Sequence, residues 1–273
     1  MNVAATRPKS PAMRSMGLKR ALRIAAAAAF LWPRASLAID DQIQVETDDI
    51  NAPGEYGLEL HLNATPRGRK TPDHPGDLPP YRGARITAEF SRGLTRTLEA
   101  GFSLPAATGA DGRLYPGGAK LRLKWMPVRG SEEQAGWYFG LNNELARVTQ
   151  KFSESPWADE LRIIGGYRAD RWLVGANAVL EWGLSKGYRG SPETGFAVRA
   201  TRQLSRGVAI GGEYYQGIGT LGNHLLRELQ QRAVYFITEF ETRLARVHVG
   251  IGHGITPASD NWTLKSVINF SFR

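Results

Sequence analysis

The chain has 273 residues, with 35 Lys and Arg against 26 Asp and Glu, and no cysteine. Without cysteine there is no disulfide framework, so packing and hydrogen bonding alone hold the fold. Seven of the bases and none of the acids fall in the first 38 positions, leaving 28 bases against 26 acids. That near-neutral balance removes the main support for a nucleic-acid partner.

Residues 1–38 read as a secretory signal. Arg7, Lys9, Arg14, Lys19, Arg20 and Arg23 form a basic region, Ile24 to Trp32 an apolar run, and Ser36-Leu37-Ala38 a small-x-small cleavage site. Met13 and Met16 are alternative starts. No later apolar run reaches the ~20 residues of a membrane-spanning helix. Residues 39–53 carry Asp40, Asp41, Glu46, Asp48 and Asp49 and read as a disordered, acidic periplasmic tail. The acids lack the glycine and closing glutamate of a calcium loop. The stretch is also far too short for the plug domain of an energy-coupled transporter.

From Gly54 onward the sequence alternates with a period of two in about twelve segments, each close to the length of a tilted transmembrane strand. The segments are 54–64, 82–92, 97–104, 118–126, 136–147, 160–168, 172–182, 195–202, 208–215, 233–241, 245–252 and 262–273. Ten or fourteen strands follow if a hairpin is split or merged. The cleanest segment sets Ala119, Leu121, Leu123 and Trp125 against Lys120, Arg122 and Lys124. The last sets Trp262, Leu264, Ile268, Phe270 and Phe272 against Thr263, Lys265, Asn269 and Ser271, with Ser266 the one polar residue on its apolar face. Connections alternate long and short, which matches outer loops and periplasmic turns; the Arg129 to Ala135 turn departs from the pattern.

The expected fold is therefore all-β, a transmembrane antiparallel up-and-down barrel over residues 54–273. A soluble sandwich or lipocalin-like barrel is the alternative, but the polar face here is too crowded with charge for an ordinary wet exterior. Trp172 and Trp182 point the same way ten residues apart, roughly 33 Å along a strand and about 25 Å along the normal of a tilted barrel, the height of an apolar band. Tyr56, Phe90, Trp125, Trp137, Tyr167, Trp172, Phe270 and Phe272 are expected at the periplasmic rim. Phe102, Trp182, Tyr214 and Trp262 are expected at the outer rim.

On the inner face the spacing brings Glu99 and Glu144 beside the Lys120, Arg122, Lys124 row. It flanks Arg199 with Glu181 and Glu213, and sets Lys265 against Glu55 and Glu59 across the closure. His61 and His248 also face inward. Two readings stay open: a charged constriction that contacts solutes, with the three-cation row as its centre, or a polar core whose charges pair off inside a barrel narrower than a sixteen-stranded porin.

A lipid hydrolase is the rival class, with His224 and His253 near Ser185 or Ser259, but no nucleophile motif surrounds them. A loop-binding barrel is a third. Its Pro66 to Pro80 loop carries Arg67, Arg69 and Lys70, which suit lipopolysaccharide phosphates, although a mobile solvated loop fits as well. Leu225 to Gln231 reads as a short helix at the mouth. The sequence supplies no catalytic, cofactor or metal site. Its expected partners are outer-membrane lipid and lipopolysaccharide, the outer-membrane assembly machinery through the last strand, and small solutes.

The Ser36-Leu37-Ala38 site, the alternating segments and the Asn269 to Phe272 ending resemble Gram-negative outer-membrane β-barrels. Pro53 to Asn63 resembles uncharacterised proteobacterial barrels grouped with proposed transporters of aromatic-degradation pathways. The resemblance implies outer-membrane insertion and passive transport, and fixes no substrate. Barrels of this kind end on an aromatic residue, whereas this chain adds Arg273.

Overall fold

The computed structural model describes residues 42–130, 135–188 and 190–272. The expected signal, the terminal Arg273 and the centre of the Arg129 to Ala135 turn lie outside the described residues. Fourteen strands follow in chain order: β1 Tyr56–Arg67, β2 Gly83–Gly93, β3 Leu98–Thr108, β4 Leu114–Pro116, β5 Gly118–Val128, β6 Gly136–Val148 and β7 Trp157–Ala169. Then come β8 Trp172–Gly183, β9 Glu193–Ser205, β10 Val208–Thr220, β11 Asn223–His224, β12 Arg232–Glu241, β13 Arg246–Gly254 and β14 Trp262–Phe272.

Every long strand pairs antiparallel with its sequence neighbours, and β14 returns to β1 with Tyr56 opposite Phe272 and Asn63 opposite Lys265. The ring is closed by twelve strands, while β4 and β11 are short additions on β3 and β10. Closure satisfies every strand edge, which hydrocarbon demands.

Alternation sorts the two faces. Leu121, Leu123, Trp125, Phe236, Ile251 and Leu264 are exposed on the outside, whereas Lys124, Asn142, Arg162, Asn177, Glu213 and Lys265 are buried. The interior is thus polar and the exterior apolar, the inverse of a soluble barrel.

Glycines on the inner wall make room for large side chains. A methyl group at Gly166 would overlap the Tyr138 ring and the Val174 carbonyl oxygen, and one at Gly252 would overlap Tyr235. Tyr138 reaches over Gly166 and Gly175 and donates to the Val174 carbonyl at 3.1 Å.

Three sequence expectations change. Strand β7 begins at Trp157 rather than Glu160, which puts the 44 % exposed Trp157 on the wall instead of in a loop. Phe102 stands in register with Phe90 and stacks on it at 5.0 Å, so it is not at the opposite rim. Residues 225–231 form turns, with no helix among the described residues.

Candidate functional site: the occupied lumen

Residues 42–53 do not form a free periplasmic tail. They run up the lumen from the periplasmic end, where Gly54 donates its N–H to the Gly93 carbonyl at 2.8 Å. Gln42, Ile43, Val45, Thr47 and Asp48 are all buried. The reason is complementarity: an acidic segment meets a wall rich in cations, and its apolar residues meet two apolar patches on that wall.

Ile43 and Val45 pack with Ala197, Tyr215, Tyr235 and Ile237. Ile50 packs against the cluster of Met126, Tyr138 and Ile164, as does Leu173 of the wall. Lys124 Nζ binds the Glu46 carboxylate at 2.5 Å and donates to the Asp49 carbonyl at 2.9 Å. Arg168 grips Asp48 with Nε at 2.9 Å and Nη2 at 2.6 Å, and reaches Asp49 at 3.3 Å. Arg246 meets Asp49 at 3.4 Å.

The wall also reads the segment's backbone. Asn177 accepts the Glu46 N–H at 2.7 Å and donates to the Glu46 carbonyl at 2.9 Å. Arg162 donates to the Gln44 carbonyl at 3.1 Å, Lys265 to the Ile43 carbonyl at 3.1 Å and Arg129 to the Asp48 carbonyl at 3.2 Å. These bonds satisfy carbonyls that would otherwise be buried at a cost of roughly 1–3 kcal/mol each. Asn51 fastens the lower end, donating its N–H and Nδ2 to Glu99 at 2.7 Å each.

The three-cation row is neutralised rather than bare. Lys120 lies 3.7 Å from Glu144, Arg122 bridges Glu89 and Glu99 at 2.6 Å each, and Lys124 is taken by Glu46. Arg199 faces Glu213 in register and ion-pairs with Glu239, but it stands opposite Gly175, not Glu181. Glu181 instead lies between Glu160 and Glu193 on the neighbouring strands.

Lys265 does not meet Glu55 or Glu59 either. It forms a fully buried ion pair with Glu213 on β10 and donates to the Tyr215 hydroxyl at 3.2 Å. Glu59 pairs with His61 at 2.8 Å and accepts from Asn269 at 2.8 Å. Adjacent-strand logic misses Lys265 because Gly250 stands beside it on β13, giving its stem room to lie across the wall.

Beside the segment, a cavity of about 360 Å³ is lined by Glu99, Arg122, Lys124, Arg199, Glu239, Arg246 and Asn269. A second, of about 170 Å³, is lined by Arg168, Arg171, Thr201 and Gln203, and shares Asp49 and Arg199 with the first. Towards the outside, a chamber of about 80 Å³ lies among Ile43, Tyr215, Tyr235, Leu78 and Pro79.

Leu78 and Pro79 belong to the 68–82 connection, which is a folded cover rather than a free loop. Arg69 bonds Asp260 at 2.8 Å through its N–H, and the Leu78 N–H reaches the Lys151 carbonyl at 3.4 Å. His74 is 3 % exposed.

Aromatic residues stand at both ends of the barrel's strands. Tyr56 stacks on Phe272 at 6.1 Å and Trp137 leans on Tyr167 at 4.9 Å, with Trp125, Trp172 and Phe270 on the same side. Trp182 and Trp262 stand at the other end, where His253 rests on Trp262 at 4.7 Å.

The hydrolase candidates are committed elsewhere. Ser259 Oγ donates to the Arg232 carbonyl and accepts its N–H, each at 2.7 Å, and Ser185 Oγ accepts the Trp157 N–H at 3.0 Å. His253 Nδ1 sits 2.7 Å from the Asn261 carbonyl, and His224 is exposed on β11.

Closure by twelve strands, with polar groups inside and aromatic rims outside, decides the fold. It is a β-barrel of the outer-membrane type. No family model matches the sequence, and no curated protein matches it. Among solved structures, the chain is similar to an outer-membrane channel from Pseudomonas putida F1. That match has a TM-score of 0.57 at 12 % identity and covers 83 % of this chain and 98 % of the channel. It is also similar to the KdgM porin, with a TM-score of 0.52 at 9 % identity, covering 80 % and 99 % of the two chains. At these identities the likeness carries the architecture.

Proposed function

We propose that this barrel is a narrow passive channel for small solutes, closed in the observed state by its own residues 42–53. The observation that carries the reading is that this filling, apart from one isolated bridge between Pro53 and Gly93, pairs with no strand of the barrel. Side chains of the wall hold it, so it is separable from a barrel whose own strands are already fully paired. The charged cavity beside it, with Arg122, Lys124, Glu99 and Arg199, is where a solute would meet the wall. The 38-residue leader is proposed to deliver the chain to the periplasm. Lipopolysaccharide is proposed as a partner on the outer side, a reading supported by the Arg147 guanidinium, which lies over the Trp157 ring at 5.7 Å.

Planar-bilayer recording of the refolded chain tests this. The native protein is expected to show a small conductance, and variants that loosen the segment a larger one. Absence of current from the native chain and from Asp48→Asn alike would refute a channel.

A further inference from the structure

The contacts to residues 42–51 have the form of a peptide-binding site, not merely of a filled space. Asn177 engages both the N–H and the carbonyl of Glu46, at 2.7 and 2.9 Å, as a strand neighbour would. Arg162, Lys265, Lys124 and Arg129 donate to four further carbonyls, those of Gln44, Ile43, Asp49 and Asp48. Asn177, Arg162, Lys265 and Arg129 bond the segment through its amide backbone and through none of its side chains. Lys124 and Arg168 then select carboxylates at two places along it, Glu46 and Asp48. The Tyr215–Tyr235 patch accepts an apolar residue three positions before the first carboxylate.

We infer that the lumen is a binding site for short, extended, acidic peptides, and that the resident segment is an intramolecular occupant standing in for them. The peptide class is favoured over other linear polyanions because four side chains, those of Asn177, Arg162, Lys265 and Arg129, bond the segment through its amide groups alone. A purely electrostatic site would spend them on charge. The inference rests on the channel reading in one respect: an incoming peptide must find the resident segment displaceable.

The experiment uses the full chain carrying Glu46→Gln, Asp48→Asn and Asp49→Asn, which weakens the occupant and leaves the wall intact. Its probe is a fluorescently labelled peptide of the native 42–51 sequence, followed by anisotropy in detergent micelles, with bilayer current recorded on the same preparation. The peptide is expected to bind this variant at least tenfold more tightly than the native chain, whose site is filled. A peptide with Gln and Asn in place of the three acids should bind at least tenfold more weakly, and so should the native peptide after a further Asn177→Ala.

Tripolyphosphate competing as well as the peptide, with no effect of Asn177→Ala, would overturn the inference in favour of a site that reads charge alone. Failure of the peptide to bind a variant whose enlarged current shows an open lumen would overturn it as well. Anisotropy needs no conduction, so binding without current would refute the channel and leave the peptide site standing.

Discussion

Asp48→Asn is the sharpest perturbation of the closed state. Asp48 is 2 % exposed, and its carboxylate takes the Arg168 guanidinium in a bidentate grip, with Nε at 2.9 Å and Nη2 at 2.6 Å. Asparagine keeps the volume and an oxygen for the two bonds on Oδ1 but loses the charge, and its Nδ2 takes the place of the Oδ2 that accepts from Nε at 3.1 Å, donor against donor. A hydrogen bond to a charged partner contributes about 1.5–3 kcal/mol, and breaking a buried pair costs about 3–5 kcal/mol. Arg168 is 18 % exposed and keeps Asp49 at 3.3 Å, which argues for the lower end, about 2 kcal/mol. That free energy is a factor of about 30 in the ratio of open to closed barrels. Single-channel recording should show the time spent in the larger conductance rising by that order, with Arg168→Gln rising similarly. The double variant should fall short of the sum, because the two sites share one interaction. An unchanged open fraction in both single variants would refute the claim that this ion pair holds the segment in place.

Three further outcomes follow from the same geometry. Relieving the three acids Glu46, Asp48 and Asp49 frees wall cations, so the opened barrel should turn towards anions; the reversal potential in a salt gradient would shift accordingly. Gly166→Ala sets a methyl group against the Tyr138 ring and a backbone carbonyl that cannot yield, so the folded barrel should melt at lower temperature. Gly190→Ala, which meets nothing within 4 Å, should leave the melting temperature unchanged. Lys265→Met removes the nearest cation from the fully buried Glu213 carboxylate, which keeps the Tyr215 hydroxyl at 2.8 Å and His248 at 3.7 Å, and should cost about 3 kcal/mol in urea unfolding, the lower end for a broken buried pair, largely recovered by adding Glu213→Gln.

The wall was legible in the sequence because alternation is a local property: a strand shows its two faces to anyone counting by two. Trp157 escaped because β7 opens with Trp157-Ala158-Asp159, where an outward aspartate bonded to Asn143 at 3.0 Å breaks the apolar pattern. Pairing across the lumen was less legible. Glu99 beside Lys124 follows from register alone, but Lys265 reaching Glu213 depends on the absence of a side chain at Gly250. Neighbour rules do not see an absence.

The occupied lumen was the least legible feature, for a reason that bears on what the segment does. Residues 42–53 read as a tail because they carry no strand period, and they carry none because almost none of their backbone groups enters a ladder. Their carbonyls go to Lys124, Arg129, Arg162 and Lys265, and their carboxylates to Lys124, Arg168 and Arg246. The signal available in the sequence was the match between an acidic run and inward-facing cations on distant strands. A segment bound that way costs side-chain contacts to remove, while the ladder hydrogen bonds of the barrel remain intact. The same lack of period that hid it from a strand count is what the proposed channel needs of it, a filling whose departure would leave the ladders of the wall intact.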